Sequence, residues 1–369
     1  MKNIVVLATG GTIAGAGEQG KDIGYKSGSI EAQTLVDAVP ELKTVANIRV
    51  EQVCNINSDD VTSEIWIALV HRIEELSKCA DVDGFVIMHG TDTMEETAFF
   101  LSLTLGANVA GENVACATIA KPVVLTGSMR PATATEPDGP ANLLFAVQSA
   151  VRLSSRPDLS SSNLSSSNEV RESSAIPETV ILEPKAIGSS AVYVAFAGKL
   201  MDARTVQKIH ANDLDAFEEI SSELSCPPLV IPDPVPGGHH PLLKAKNSFN
   251  VSSLRELPRV SVLYFNVDAD AELVRFAAER SAGLVIAGAG AGEFSQSWAA
   301  AIAEVVAKEI PVVISTRINR GCIVPEQLLV KGTIAAYDLP PAKAAVLLRL
   351  ALTVTNDVQE IQKNFASKK

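Results

Sequence analysis

Three stretches of the sequence carry residue types that could do chemistry, and each follows an apolar, strand-like run. They are ATGGTIAG at 8–15, MHGTDTMEETAFF at 88–100 and TGSMRPATATEPDGPANL at 126–143. All three are rich in glycine and hydroxyl side chains, and no cysteine or histidine is suitably placed to act with those hydroxyls. This pattern favours a threonine or serine nucleophile activated by a lysine or a tyrosine rather than by histidine.

The first stretch runs into GAGEQG at 15–20, a literal match to the G-x-G-x-x-G pattern of dinucleotide-binding loops. In a true dinucleotide fold the first glycine follows the strand closely and a helix opens directly after the last one. Here the first glycine comes well after the strand, and KDIGYKSG follows instead of a helix start. This context disfavours a dinucleotide site at 15–20.

The second stretch ends a buried strand and begins a helix. Thr93 and Glu96 have the spacing of a capping box, which predicts that they cap that helix. Capping leaves Thr91 and Asp92 unexplained. A hydroxyl beside a carboxylate at a strand end is suited to proton transfer.

The third stretch also places glycine and small polar residues directly after a strand. Asp138, Gly139 and Pro140 predict the start of the next helix. Arg130 and Asp138 are predicted to pair and to pin the loop, which is a structural role.

Strand-like and helix-like segments alternate along most of the chain, as in βαβ units with a parallel sheet. In such a sheet, sites lie beyond the carboxyl ends of the strands, where the three stretches are found. The strand-like runs are 3–8, 84–89, 122–127, 192–197, 261–266, 283–288 and 311–316, and the clearest helical patterns are 63–78, 94–105, 139–153, 271–281 and 297–309.

Two segments interrupt this alternation. A serine-rich stretch at 154–178 has almost no apolar periodicity and is interpreted as a surface insertion, spanning about 153–184. A proline- and glycine-rich stretch at 225–253 is typical of a linker. The fold class is thus α/β, and the predicted organisation is an N-terminal catalytic domain at 1–217, a linker at 218–256 and a smaller C-terminal α/β domain at 257–369.

Composition excludes several classes of function. The net charge of −12 disfavours nucleic acid and anionic membrane surfaces as partners. The histidines and cysteines show no zinc-binding spacing, so no metal is predicted. No apolar run is long enough to span a bilayer, and no signal peptide is recognisable, which makes the cytoplasm the default location. A mature exported form is the alternative.

Four motifs in order resemble the bacterial L-asparaginase and glutaminase-asparaginase family. They are TGGTIAG, HGTDTMEET, GSMRPATATEPDGPANL and the C-terminal PAKAAVLLRLALT. The resemblance covers nearly the whole chain apart from its insertions. It is strongest to the type II branch, because GYKSG follows the first motif at that branch's spacing.

The resemblance implies roles for residues at the matching positions. Thr12 matches the nucleophile and Tyr25 the tyrosine of the lid. The resemblance thus implies that 15–28 forms a lid over the site, with its glycines as a hinge. Thr91 and Asp92 match a second threonine and its aspartate, which also faces the substrate's α-ammonium. The positions matched to substrate binding are Gly11, Ser58 for the α-carboxylate, Asp59, Gly90, Ser128 near the side-chain amide, Asp268 and Glu326.

The family's lysine, expected near Leu153, is displaced by the insertion. Lys185 lies seven residues before the strand-like run at 192–196, which is the family's spacing between lysine and strand. By resemblance, Lys185 completes a group with Thr91 and Asp92. A solvated loop lysine is the alternative interpretation.

Three further positions depart from the family's pattern. Asp59 stands where the family has Gln or Glu, so its side chain is one methylene shorter. Asp268 matches a position that reaches the neighbouring subunit's site. Glu326 is the candidate for a glutamate that the family lends from the partner subunit, in a loop that is shortened here.

The implied activity is hydrolysis of L-asparagine, and variably L-glutamine, to the acid and ammonia without a cofactor, usually in a homotetramer. The resemblance also leaves open a Cys79–Cys116 disulfide or two free thiols at those positions. Two other functions are considered. An amidase subunit of an amidotransferase would carry extra N-terminal domains, and a non-catalytic asparagine- or aspartate-binding protein would not need the complete catalytic set.

Overall fold

The chain forms two separate parallel-rich sheets, one from each part of the sequence. The computed structural model describes residues 1–21, 24, 26, 28–105, 121–155, 191–220 and 249–366. The strands in this part are β1 (Lys2–Gly10), β2 (Ala46–Ile56), β3 (Gly84–Met88), β4 (Val123–Thr126), β5 (Val192–Phe196), β6 (Lys199–Asp202), β7 (Val206–Lys208), β8 (Phe217–Glu219), β9 (Val260–Tyr264), β10 (Gly283–Gly288), β11 (Val312–Thr316) and β12 (Ile334–Ala335). The helices are α1 (Ala32–Asp37), α2 (Leu42–Val45), α3 (Ser63–Ser77), α4 (Met94–Thr104), α5 (Gly139–Ser154), α6 (Glu272–Ala278), α7 (Gln296–Val306), α8 (Pro341–Ala351) and α9 (Val358–Ala366).

The first sheet has the strand order β2-β1-β3-β4-β5-β6. Its first five strands are parallel, and β6 pairs antiparallel with β5. The carboxyl ends of β2, β1, β3 and β4 therefore lie side by side at one edge of the sheet. The short antiparallel pair β7 and β8 follows this sheet in the chain.

Helices cover both faces of the first sheet, so its central strands are buried on both sides. Val5 and Leu7 of β1 pack with α3 and α4, whereas Ile4 and Val6 pack on the opposite face with α5. This alternation follows from the two-residue period of a strand. It also explains the nearly continuous apolar sequence of these strands.

The second sheet is parallel with the order β12-β11-β10-β9. Helix α8 packs on one face of this sheet and also against α4 of the first domain. Side chains of β10, β11 and α8 consequently belong to the same apolar core as the α3–α4 face of the first sheet. The described parts of the two domains thus share one continuous core.

The α/β fold with two parallel-rich sheets confirms the predicted fold class. Each strand-like run of the sequence became a strand, and each of the five helical patterns became a helix. Most of the serine-rich stretch and of the linker stretch lies outside the described residues. Within the described part, no helix is long and apolar enough to cross a membrane.

Candidate active site

Bare glycine backbones bring three loops together at the carboxyl edge of the first sheet. A Cβ added to Gly11 would lie 2.5 Å from the Cα atom of Gly90. A Cβ added to Gly90 would lie 2.7 Å from Oγ of Ser58. The loops after β1, β2 and β3 can approach this closely only because both positions lack a side chain. The backbones at Thr12 and Thr91, which follow these two glycines in the chain, therefore lie close together.

Thr12 opens a short 3-10 helix, Thr12–Ala14, that follows β1 directly. The preceding Gly11 has φ of 82°, a left-handed conformation that favours glycine, and its N–H donates to the Ile56 carbonyl at 2.9 Å. The Thr12 side chain is half-buried. The backbone just before the predicted nucleophile is therefore fixed by a hydrogen bond to the end of β2.

Thr91 and Asp92 both accept hydrogen bonds from Lys208. Its Nζ atom donates to Thr91 Oγ1 at 2.9 Å and to Asp92 Oδ1 at 2.6 Å. The Thr91 side chain is buried, whereas 70% of the Asp92 side chain is exposed. Because Lys208 is only 14% exposed, its ammonium is held between these two oxygens at the rim of the site.

Sequence reasoning missed Lys208, which ends the three-residue strand β7. It lies in no recognised motif, and the only available signal was a lysine in a short alternating run. Lys185 and Tyr25, which were predicted for the same group and for the lid, both lie outside the described residues.

His89 supports the loop that carries Thr91. Its Nδ1 lies 2.8 Å from the Gly90 carbonyl, and its Nε2 lies 3.0 Å from Thr97 Oγ1, which also accepts the indole N–H of Trp66 at 2.8 Å. A neutral ring that donates from Nδ1 and accepts at Nε2 satisfies every partner. Complete burial lowers the pKa of His89 to about 4, so the ring stays neutral at physiological pH.

The predicted capping box at α4 is wrong. Thr93 is the N-cap residue, but its side chain makes no capping hydrogen bond. Its hydroxyl instead donates to the Ser58 carbonyl at 2.7 Å. A cross-loop contact has replaced the local cap, and it ties the loop after β2 to the loop after β3.

The loop after β4 is pinned, but not by the predicted Arg130–Asp138 ion pair. The Asp138 carboxylate accepts the backbone N–H groups of Met129 and Arg130, each at 2.9 Å. The Arg130 guanidinium points to Glu136 instead. Ser128 is fully buried and donates its hydroxyl to the Arg130 carbonyl at 2.7 Å, so its backbone is what the loop presents.

The predicted lid lies against this same loop. Ala16 and Lys26 exchange two backbone hydrogen bonds at 2.9 and 3.0 Å, which closes the segment into a hairpin-like loop. The N–H of Gly20 donates to the Thr133 carbonyl at 2.8 Å. The next helix in the described part starts only at Ala32, so the glycines at 15–20 do not open a helix for a phosphate.

The remaining predicted residues lie in two places. Asp59 is exposed beside Ser58, at the edge where β1, β2 and β3 end. Asp268 and Glu326 belong to the second sheet's loops, and both are exposed. Asp268 has φ of 62°, a strained conformation for a residue with a side chain.

The structure bears on the Cys79–Cys116 disulfide that the resemblance left open. Cys79 is an exposed free thiol, and Cys54 is a second free thiol. The Cys79–Cys116 disulfide is therefore absent, and Cys116 itself lies outside the described residues.

A cleft of about 380 Å³ lies beside Lys208. Its lining residues are Asp92, Glu95, Lys208, Ile209, His210 and Ala211. In the described ranges, no three histidine, cysteine or carboxylate side chains come together as a metal site would require. The Lys208 ammonium between the Thr91 hydroxyl and the Asp92 carboxylate is an arrangement suited to proton transfer.

Comparison with protein families gives two matches that together cover most of the chain. Residues 3–158 match the model described as "Asparaginase, N-terminal". Residues 259–365 match the "Glutaminase/Asparaginase C-terminal domain".

Curated and solved proteins agree with these matches. The chain is 36% identical to L-asparaginase 2 of Bacillus subtilis over 99% of its own length and 86% of the relative's. It is 31% identical to the glutaminase-asparaginase of Pseudomonas fluorescens biotype A, over 99% and 90% of the two lengths. A probable cytoplasmic L-asparaginase from Campylobacter jejuni, solved by crystallography, is 34% identical with a TM-score of 0.75 and full coverage of both chains.

Both domain matches and full-length relatives above 30% identity lead to the same family. The loops described above, which carry Thr12 after β1 and Thr91 and Asp92 after β3, lie within the N-terminal domain match. The chain belongs to the asparaginase family and carries both its N-terminal domain and its glutaminase/asparaginase C-terminal domain.

Proposed function

We propose that this protein hydrolyses the side-chain amide of L-asparagine to L-aspartate and ammonia, with secondary activity on L-glutamine. The names of its relatives support both amides as substrates. The observation that supports the proposal is the close approach of Gly11 to Gly90. These glycines precede Thr12 on one loop and the Lys208-bonded pair Thr91 and Asp92 on the other.

The first half of the reaction uses Thr12. Its Oγ attacks the amide carbon, and its proton passes through Tyr25 or a water molecule. The C–N bond then breaks, ammonia leaves with the added proton, and a β-aspartyl ester remains on Thr12. Backbone N–H groups near the oxyanion would contribute about 2.7–4 kcal/mol per donor in such a step.

The second half uses the group around Thr91. Water attacks the ester carbon and gives up a proton to the Thr91–lysine–Asp92 group. The C–O bond to Thr12 then breaks, aspartate leaves, and the proton returns to Thr12 Oγ. Among the described residues, Lys208 contacts both Thr91 and Asp92, so we assign it to this group. Lys185 remains a candidate for the same role through its resemblance to the family's lysine.

Substrate binding is assigned to residues around the same edge. Ser58 would hold the α-carboxylate, and Asp59 and Asp92 would face the α-ammonium. Gly11, Gly90 and the backbone of Ser128 would line the site at the side-chain amide. The close packing of Ser58 on Gly90 supports this assignment.

We also infer a homotetramer whose sites lie at a subunit interface. Apolar side chains exposed on the second domain support an interface there: Tyr264, Val267, Leu273 and Phe276 are each at least half exposed. Asp268 lies in the same region, and its strained backbone is typical of a residue held for function. Asp268 and Glu326 would reach the partner's site.

Domain limits and location complete the proposal. The family matches at 3–158 and 259–365 support domains at 1–217 and 257–369 joined by a linker at 218–256. Relatives are named both as periplasmic and as cytoplasmic proteins. A cytoplasmic location and an exported mature form are both consistent with these names.

Steady-state ammonia release from L-asparagine and L-glutamine tests the function. Thr12→Ala should lower kcat by about 10³-fold or more, and Lys208→Met by about 10²-fold. The kcat of Lys185→Met shows how much the second candidate lysine contributes. Lys363→Met, on the exposed face of α9, is the matched control. Full activity of Thr12→Ala would overturn the mechanism, and a larger loss in Lys185→Met than in Lys208→Met would move the lysine role to Lys185.

A further inference from the structure

Lys343 is a fully buried lysine far from the candidate nucleophile in sequence. It lies in α8 of the second domain, and none of its surface is exposed. Its Nζ donates to the carbonyls of Ala203, Arg204 and Val206 at 3.0, 2.9 and 2.5 Å. All three acceptors belong to the turn at 203–206, which leads from β6 into β7 of the other domain.

Burial of this ammonium is costly, and the surrounding groups offset the cost. Burial lowers the pKa of Lys343 to about 8, against the opposing effects of Glu95, Asp202 and Asp338. Three carbonyl bonds use every N–H of the ammonium. An apolar side chain would fill the same space without the desolvation cost. The buried charge is therefore better explained by the backbone turn that it binds.

The turn that Lys343 binds leads directly to Lys208. Val206 begins β7, and Lys208 ends it two residues later. The backbone N–H of Lys208 donates to Glu95 Oε2 at 2.5 Å, and Glu95 lies in the first turn of α4, three residues after Asp92. The strand is therefore held at one end by Lys343 and at the other by Glu95.

A second contact from the C-terminal domain acts on the same turn. The Arg204 guanidinium donates to both carboxylate oxygens of Asp338 at 2.8 and 3.1 Å. Asp338 lies just ahead of α8. The turn at 203–206 is thus tied to the C-terminal domain through both a backbone and a side-chain contact.

We propose that Lys343 is a positioning residue, which holds the 203–206 turn so that Lys208 stays within hydrogen-bond distance of Thr91 and Asp92. The C-terminal domain then takes part in the reaction within its own subunit, apart from any residue it lends to a partner. The inference rests on the role proposed above for Lys208.

A double-mutant cycle on the full chain tests this inference. Lys343→Met keeps the length of the side chain and removes the ammonium. It should lower kcat for L-asparagine by about tenfold, with a smaller change in KM, because the loss is in chemistry rather than in binding. In a Lys208→Met background the same substitution should cause no further loss of kcat, since Lys343 acts through Lys208.

The outcomes separate this inference from the proposed function. Unchanged kcat in Lys343→Met, or an equal loss in both backgrounds, would overturn the positioning role while leaving Lys208 in place. Full kcat in Lys208→Met would overturn the Lys208 assignment and this inference with it. Lys363→Met controls for loss of a lysine from the C-terminal domain.

A milder variant covers the case in which Lys343→Met does not fold, because three buried carbonyls would lose their donor. Asp338→Asn loosens the same turn and leaves Lys343 intact. It should lower kcat by about threefold, again without effect in the Lys208→Met background. A loss that persists in that background would contradict the inference.

Discussion

At the residue scale, the site depends on how each polar side chain is satisfied by its neighbours. Thr91 and Asp92 stood out in the sequence because helix capping did not explain them. The lysine that contacts them did not stand out, since Lys208 reaches them from a hairpin more than a hundred residues later. Residue type and strand-end position could be predicted, but a long-range side-chain contact could not.

His89 provides a prediction for pH dependence. Its pKa is about 4 in the folded chain, below its ordinary value of 6.5, because the ring is completely buried. As the pH falls below 6.5 the unfolded chain binds a proton at His89 that the folded chain does not bind until about pH 4. The stability due to neutral His89 is therefore complete above pH 6.5 and is lost between 6.5 and 4, by up to about 3 kcal/mol.

The measurement is the free energy of unfolding in denaturant from pH 7.5 to 4, for the wild type and His89→Gln. The advantage of the wild type should shrink as the pH falls. The difference between the two proteins cancels the contribution of other groups that titrate in this range. One of them is Glu96, since burial and the charge of Glu95 raise the pKa of Glu96 to about 7 and make it titrate in the opposite sense. A difference that stays constant over this range would show that His89 is not buried as a neutral ring.

At the scale of the elements, the site is made by parallel strands that end at one edge. Apolar runs of the sequence predicted β1, β3, β4 and β5, because a strand covered on both faces is apolar throughout. The edge strand β2 was missed, since its residues after Ala46 are half-buried or exposed and include Arg49 and Glu51. Burial on one face gives a weaker signal than burial on two.

Short elements were missed for a related reason. Helices α1 and α2 have only six and four residues, too few to show a helical period. The wrong capping box at Thr93 has a different cause, because a contact to Ser58 from another loop replaced the local one. Local patterns do not reveal which tertiary partner will compete for a hydroxyl.

The contact between the ends of β1 and β3 gives a prediction at this scale. Gly11→Ala should lower kcat and destabilise the protein, because its Cβ would lie 2.5 Å from Gly90. Gly198→Ala is the matched control, since Gly198 has a similar φ of 75° but no atom within 4 Å of the added Cβ. The control should lose about 1–2 kcal/mol of stability from the left-handed backbone alone.

Gly11→Ala should lose about 1–3 kcal/mol more than the control, as expected for overpacking. Thermal unfolding and ammonia release measured on both variants provide the comparison. If the two variants lost the same stability and kept the same kcat, the close approach of the two loops would not be what holds Thr12 near Thr91.

At the scale of the whole molecule, the two domains are joined by a continuous core and by the contacts of α8. The division into two sheets was visible in the sequence as two series of strand-like runs separated by a proline-rich stretch. The packing of α8 against α4 was not visible, because an apolar helix does not specify which neighbour it covers. Through that packing Lys343 reaches the turn before β7.

Assembly gives the prediction at this scale. Leu273 and Phe276 lie three residues apart in α6 and are 51% and 57% exposed. Changing both to glutamate should split the proposed tetramer, because charges would be buried at the interface. Ammonia release should fall with it, since the sites would lose residues lent by the partner.

Sedimentation velocity of the wild type and of Leu273→Glu/Phe276→Glu measures the assembly directly. Lys331→Glu, an exposed change outside this helix, is the control and should leave the tetramer intact. A double variant that remained a fully active tetramer would place the interface elsewhere.

The central claim is that Thr12 carries the acyl group, and trapping that ester tests it most directly. Lys208→Met, mixed with L-asparagine and quenched in acid within the first turnover, should accumulate enzyme with one aspartyl group added. Peptide mass spectrometry should locate that group on Thr12, and the Thr12→Ala/Lys208→Met double variant should show none. An aspartyl group on Thr91, or a first-turnover release of ammonia that leaves no adduct, would contradict the account.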